Sequence, residues 1–224
     1  KLKVLQSIRP FDLEMVARSA VRGQYSPGQI NGKPIPGYRQ ETGVNQESKT
    51  ETFVSARLLI DNWRWAGVPF YLRTGKRLGK RNTEIVIEFR KAPHMVFRER
   101  EIEPNRLILN IQPDEGISVS FGAKRPGTEM SIGNVTMKFS YHEGFGDATR
   151  GAYSTLLNDC LRGDATLFDR GDNVEAAWEL VEPILDVWSA ARTATVPQYP
   201  SGSWGPHESD LLLRRDGRAW HNPQ

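Results

Sequence analysis

The sequence predicts an α+β fold, with one large, mostly antiparallel sheet and helices on one face. Three observations lead to this prediction. Short segments that alternate apolar and polar residues follow one another between residues 84 and 141, with no helical period between them. Residues 112–116 (QPDEG) form a tight-turn sequence between two of these segments. The period changes to 3.6 residues after residue 153, and strands followed by helices are typical of the α+β class.

The first 60 residues predict helices and two strands. Residues 1–20 are partly amphipathic around Pro10 and are expected to be helical. A short strand is predicted at 21–25, followed by a glycine- and proline-rich loop that extends to residue 37. Residues 52–60 are apolar and β-branched, which favours a strand buried along much of its length.

The remaining elements follow from the same two periods. The predicted strands are 70–72, 84–89, 107–111, 117–121 and 135–141. The predicted helices are 153–161, 172–190 with an internal proline at Pro183, and a short one near 208–214. The rest of the segment from residue 197 to the end is predicted to be loop.

Composition excludes several classes of function. The 224 residues include 30 basic and 27 acidic ones, a net charge of +3, and a nucleic-acid-binding protein would need a strongly basic face or tail. No apolar run approaches the roughly 20 residues that cross a membrane. The four histidines, at 94, 142, 207 and 221, have no ligand partners at metal-binding spacing, so no metal site is expected.

One cysteine, Cys160, excludes an intramolecular disulfide and fits a reducing compartment. The chain is therefore expected in the cytoplasm. Cys160 lies in an amphipathic helical pattern, which favours a buried structural thiol over a nucleophile.

The most distinctive local feature is a basic turn that follows the short strand 70–72. This cationic turn, residues 73–81, contains two glycines, Gly75 and Gly79, among five basic residues: Arg73, Lys76, Arg77, Lys80 and Arg81. Arginine and lysine can bind the oxygens of a phosphate, and glycine lets the backbone approach a ligand closely. The residues alone leave two interpretations open, an anion-binding site and a solvated basic hairpin.

Five motifs give this chain a close resemblance to a known family. They are VRGQY at 21–25, DNWRWAGVPFYLRTGKRL at 61–78, IQPDEG at 111–116, EAAW at 175–178 and WGP at 204–206. They occur in the order that they hold in glucose-6-phosphate dehydrogenases. The whole chain, residues 1–224, resembles the C-terminal β+α domain of a bacterial-type member. Residues 1–20 would then be the end of the helices that link this domain to an N-terminal one.

The resemblance implies oxidation of glucose 6-phosphate to 6-phosphogluconolactone with NADP, the entry to the oxidative pentose phosphate pathway. By motif, Lys76, Arg81 and Gln112 would contact the substrate, and Arg73 lies beside them. In the family the sheet also forms the dimer interface, so a homodimer is expected, with a tetramer as the other possible state.

The resemblance also predicts which parts of the enzyme lie elsewhere. The family's Rossmann fold begins with a strand and a glycine-rich turn, and its base is a histidine downstream of an Asp-His-Tyr-Leu-Gly-Lys motif. This sequence contains neither, so it has no catalytic residue of its own and NADP would be bound mainly by the absent domain. Hydride transfer needs both a bound nicotinamide and a base, so the chain alone is predicted to be inactive.

Some family members bind a second, structural NADP, which this sequence is predicted to lack. The basic residues of that site are absent near Asn82, Val86 and Asn110, and Trp204 stands where those members have arginine. Trp220 matches an aromatic residue of that site.

A second hypothesis comes from another class of function. The chain would be a non-catalytic oligomerisation module, and the cationic turn would be surface charge. The preference for NADP or NAD is left open, because residues of the absent domain would determine it.

Overall fold

A computed structural model of the chain describes residues 1–91, 103–128, 131–146, 152–191 and 195–223, so that His94 falls outside the described residues. The chain divides into two compact units. The first contains Lys1–Lys80 and Asp159–Asn222, and the second contains Arg81–Asn158.

The predicted helices are present. Within the described residues the helices are α1 (Leu2–Leu5), α2 (Leu13–Ser19), α3 (Tyr141–Phe145), α4 (Ala152–Arg162), α5 (Gly171–Ala190) and α6 (His207–Arg214). The sequence did not predict α3, and the segment predicted to be helical at 1–20 contains the two short helices α1 and α2. The Asp12 side chain starts α2 by accepting a hydrogen bond from the Met15 amide at 2.7 Å, as capping residues do. Pro183 lies inside α5. None of these helices is both long and apolar enough to cross a membrane.

The predicted strands are present as well, and the structure adds three short ones. The strands are β1 (Ala20–Ser26), β2 (Gly28–Ile30), β3 (Lys33–Ile35), β4 (Phe53–Leu59), β5 (Pro69–Gly75), β6 (Thr83–Glu88), β7 (Arg106–Gln112), β8 (Gly116–Lys124), β9 (Ile132–Ser140) and β10 (Gln198–Pro200). The α+β class with mostly antiparallel strands is confirmed. The strands form two four-stranded sheets, with the orders β10-β1-β4-β5 and β6-β7-β8-β9, and a separate hairpin, β2-β3.

In the first unit the sheet is covered by helices on one face. Ala20 of β1 and Ala56 of β4 are cross-strand partners, and they pack with Val16 of α2 and Ile184 of α5. Because side chains alternate along a strand, Phe53 of β4 points to the opposite face. There it packs with two further buried rings, Tyr25 and Tyr199. The cationic turn adjoins this second, aromatic cluster through Leu78.

In the second unit the four strands form an antiparallel meander, and the predicted hairpin at 112–116 joins β7 to β8. The register places apolar residues opposite one another across all four strands. One cross-strand row is Ile85, Leu109, Ile117 and Phe139, and the next is Ile87, Leu107, Val119 and Met137. Direct partners share a face, so one face of this sheet is apolar. We call it the apolar face.

Other features of the fold also differ from the sequence predictions. The segment predicted as a loop up to residue 37 contains the hairpin β2-β3. The predicted loop after residue 197 begins with β10, which pairs in parallel with β1. The prediction of a buried thiol at Cys160 is wrong, because this side chain is exposed. Leu157 and Leu161 on the same helix are also 65% and 89% exposed. The amphipathic pattern of α4 therefore predicted the helix correctly but not the burial of its apolar side.

Candidate functional site

The cationic turn includes the last three residues of β5, which ends at Gly75, and its backbone is fixed at Lys76. The Lys76 amide donates to the carbonyl of Thr52 at 2.8 Å. The Lys76 carbonyl accepts from the Tyr199 hydroxyl at 2.7 Å. The preceding residue must be glycine, because a Cβ at Gly75 would lie 2.9 Å from the Phe53 ring.

The Lys76 side chain is presented to solvent from this fixed backbone. It is exposed, and its ammonium group forms no hydrogen bond or ion pair with any of the described residues. An ammonium group of this kind is a point charge with three donors. Lys76 is therefore suited to contact an anionic ligand.

Tyr199 supplies the contact on the carbonyl side and is fully buried, with 0% exposure. Its hydroxyl lies 2.7 Å from the Lys76 carbonyl, 3.1 Å from the Thr52 carbonyl and 3.2 Å from the Thr52 hydroxyl. Burial raises the pKa of Tyr199 above its usual value, so the phenol stays protonated and can donate. The shorter of its two carbonyl contacts is the one to Lys76.

Arg77, the next residue, is paired within the protein. Its backbone is in the left-handed region, with φ of 53°, which non-glycine residues adopt at a cost. Its guanidinium group binds the Glu41 carboxylate at 3.1 Å, and the same carboxylate accepts from the Tyr25 hydroxyl at 3.0 Å. Arg77 is thereby tied to the loop after β3, although both side chains of the ion pair remain partly exposed.

The segment after β10 holds the rest of the turn. The Gly202 amide donates to the Arg77 carbonyl at 2.8 Å, and the Gly79 amide donates to the Ser203 carbonyl at 3.0 Å. Gly202 has a φ of 89°, and a Cβ there would lie 2.1 Å from the Gln29 carbonyl oxygen. Only glycine fits this position, which places the segment against β2 and the turn at the same time.

Arg73 is occupied by the C-terminal segment. Its guanidinium carbon lies 5.0 Å from the centre of the Trp204 ring and 4.6 Å from that of Trp220, within the range of cation–π contacts. The same group donates to the carbonyls of Trp204 and His221, at 3.3 and 3.1 Å, and to the Asn222 side chain at 3.0 Å. These contacts fix the end of the chain on β5. The predicted substrate contact of Arg73 stays a prediction.

Arg81 and Gln112 belong to the second unit. Gln112 is the last residue of β7 and is the register partner of Thr83, two residues after Arg81. Arg81 and Gln112 therefore lie at the same end of the β6-β7 pair, and both are exposed. Of the four predicted site residues, the structure brings these two together at one sheet end, whereas Arg73 and Lys76 belong to β5 and its turn in the first unit.

Sequence reasoning missed the residues that hold the turn in place, chiefly Tyr199, Thr52 and Gly202. Tyr199 lies in a strand of three residues next to a proline, a pattern too short to predict a strand. The WGP motif at 204–206 was the one signal near this segment.

The described residues offer neither a metal site nor a dinucleotide fold. No group of three or more His, Cys, Asp or Glu side chains among them could hold a metal ion. Within the described part of the chain, β1-β10 is the parallel strand pair, and it follows no glycine-rich turn of the kind that binds a pyrophosphate.

Comparisons with known proteins agree on one family. Residues 1–221 match the sequence model of the glucose-6-phosphate dehydrogenase C-terminal domain. The chain is 47% identical to the glucose-6-phosphate 1-dehydrogenase of Chlamydia pneumoniae, covering 98% of the chain and 43% of that protein. It is 48% identical to the enzyme of the same name from Aggregatibacter actinomycetemcomitans, covering 99% of the chain and 44% of that protein.

Solved structures lead to the same family. A glucose-6-phosphate dehydrogenase in complex with its substrate glucose 6-phosphate superposes with a TM-score of 0.85 at 30% identity, over 99% of this chain and 44% of that one. The Mycobacterium avium enzyme superposes with a TM-score of 0.76 at 34% identity, over all of this chain and 43% of that one. The chain thus spans less than half the length of the relatives it matches.

The role of Arg73 can be tested by Arg73→Lys. Lysine keeps the charge, but it has no planar guanidinium group to stack on the two indole rings and to donate to three acceptors at once. We therefore expect the free energy of unfolding to fall by about 1–2 kcal/mol. Thermal unfolding would measure the loss. Arg64→Lys, at an exposed arginine before β5, is the control and should leave the midpoint unchanged. Equal midpoints for both variants would contradict a structural role for Arg73.

Proposed function

Since the chain belongs to the family of glucose-6-phosphate dehydrogenase C-terminal domains, we propose that it is the substrate-binding part of an enzyme that oxidises glucose 6-phosphate to 6-phosphogluconolactone with NADP. This reaction opens the oxidative pentose phosphate pathway, and the proposed compartment is the cytoplasm. The observation that supports the proposal most is the exposed Lys76 ammonium on a backbone held at both its amide and its carbonyl.

Lys76 has the properties that binding of a sugar phosphate requires. The phosphate is a dianion at neutral pH, and each charge-assisted hydrogen bond contributes roughly 1.5–3 kcal/mol when it is shielded from water. A fixed backbone leaves only the side chain to be ordered on binding, which lowers the entropic cost. We assign Lys76 to the phosphate, and Arg81 and Gln112 to further substrate contacts. Arg73 belongs to the framework that carries the turn, through its contacts with the C-terminal segment, and its predicted contact with the substrate stays a prediction.

Oxidation of the sugar needs groups that this chain does not supply. NADP, when bound, accepts a hydride, and a general base removes the hydroxyl proton. We assign both to the part of the relatives that this chain does not span, to which residues 1–20 would provide the link. What the chain contributes is positioning of the phosphosugar. Reduction of NADP by the 224-residue chain alone, with glucose 6-phosphate, would contradict this division of roles.

The proposed role of Lys76 can be tested by Lys76→Ala in the full-length enzyme. Loss of one charged contact should raise the KM for glucose 6-phosphate about tenfold to a hundredfold, while the KM for NADP changes little. Steady-state kinetics with each substrate varied in turn would measure both constants. Lys33→Ala, at an exposed lysine of β3, is the charge-matched control and should change neither. Equal increases in both constants for Lys76→Ala would indicate a structural role instead.

We further propose that the apolar face joins two copies of the chain. Several side chains of the apolar face are exposed in this chain. The exposed fraction is 61% for Met137, 51% for Ile85 and 42% for Phe139. An apolar face of this extent on a folded domain usually marks an interaction surface. Its cross-strand rows contain no charged residue, so two identical copies can meet about a twofold axis without repulsion between like charges. The charged residues of these strands, such as Glu88 and Arg106, alternate to the opposite face.

This interface predicts that Met137→Glu dissociates the full-length enzyme. A glutamate on the apolar face would have to be buried in the interface without a partner in each copy, which is strongly unfavourable. Sedimentation velocity should therefore shift from dimer to monomer. Thr136→Glu introduces the same charge at the neighbouring residue, on the opposite face, and should remain dimeric. If Met137→Glu stays dimeric at low protein concentration, the apolar face is covered by something other than a second copy.

A further inference from the structure

We infer that Tyr199 is a positioning residue for substrate binding, acting through the backbone of Lys76. This inference rests on the proposed role of Lys76. Tyr199 and Lys76 are 123 residues apart in the sequence, and the Tyr199 hydroxyl reaches the Lys76 carbonyl at 2.7 Å from a fully buried position. No charged group takes part in this contact, so its effect on the ligand is indirect.

The contact lies next to Arg77, the residue of the turn whose backbone conformation is least favourable. The Lys76 carbonyl belongs to the peptide unit that leads into Arg77, whose φ of 53° is in the left-handed region. Backbone in this region persists where surrounding contacts impose it. Tyr199 holds the carbonyl before Arg77, and the Gly202 amide holds the carbonyl of Arg77 itself at 2.8 Å. Without the first of these bonds, the backbone that carries the Lys76 side chain is held at its amide and no longer at its carbonyl, so the side chain is positioned less precisely.

The surroundings of Tyr199 indicate that its hydroxyl, and not only its ring, is adapted to this role. The ring packs against Phe53 with centroids 5.5 Å apart and against Tyr25 at 6.5 Å, contacts that a phenylalanine would also make. The hydroxyl is the group that links β10 to the Thr52 and Lys76 carbonyls. Tyr199→Phe therefore removes the link and leaves the aromatic cluster in place.

The test compares Tyr199→Phe with the parent in the full-length enzyme. The KM for glucose 6-phosphate should rise about threefold to tenfold, as expected for the loss of one buried hydrogen bond that fixes a binding group. The KM for NADP should stay within error. Tyr71→Phe is the matched control. It removes another tyrosine hydroxyl from the first unit, and the partner of that hydroxyl is the Asp216 carboxylate, which is not part of the turn. This control should leave the KM for glucose 6-phosphate unchanged.

A double-mutant cycle with Lys76→Ala separates an effect through Lys76 from a general loss of structure. If Tyr199 acts through Lys76, the substitution Tyr199→Phe should have no further effect on the KM for glucose 6-phosphate once Lys76 is alanine. Additive effects of the two substitutions would overturn the inference, and so would an unchanged KM in the single variant Tyr199→Phe. If Lys76→Ala itself leaves the KM unchanged, the proposed role of Lys76 fails first. Thermal unfolding of each variant would show whether the protein is folded under the assay conditions.

Discussion

The local structure around the candidate site depends on the parallel pairing of β10 with β1. This pairing places Tyr199 beside Tyr25 in register and brings residues 200–204 against the cationic turn. Without β10, the edge of β1 would be unpaired, and the backbone of the turn would lose its contacts from Tyr199, Gly202 and Ser203. A strand of three residues thus determines the conformation of a turn more than one hundred positions earlier in the chain, as the Tyr199 to Lys76 separation shows.

Within the cationic turn, neighbouring basic residues have different tasks. Arg73 contacts two indole rings and binds the C-terminal segment, and Arg77 pairs with Glu41. Lys76 lies between them in sequence, with a fixed backbone and an exposed ammonium group. The division follows the chemistry of the side chains, because arginine stacks and binds several acceptors at once, whereas lysine is a compact, mobile charge. Two arginines are therefore bound within the protein, and the lysine is the residue proposed to contact the ligand.

The sequence predicted most of the regular structure because strong periods specify it locally. The alternation of apolar and polar residues predicted the strands β6 to β9 and their positions in the chain. The helical pattern did the same for α5. Three features depend on distant contacts, and the local pattern did not predict them. Tyr199 belongs to a strand too short to be recognised, the hydrogen bonds of Arg73 involve residues near the C-terminus, and the exposure of Cys160 depends on what covers α4. The family motif predicted Lys76 as a site residue, and only the structure identified the groups that hold its backbone.

The most direct test of this account is a crystal structure of the full-length protein with glucose 6-phosphate bound. The account predicts a phosphate oxygen within hydrogen-bonding distance of the Lys76 ammonium, about 2.7–3.2 Å. It also predicts that the Tyr199 hydroxyl remains on the Lys76 carbonyl and that Arg73 stays in contact with Trp204 and Trp220. A phosphate bound away from Lys76, or held by an Arg73 that has left the two indole rings, would contradict it.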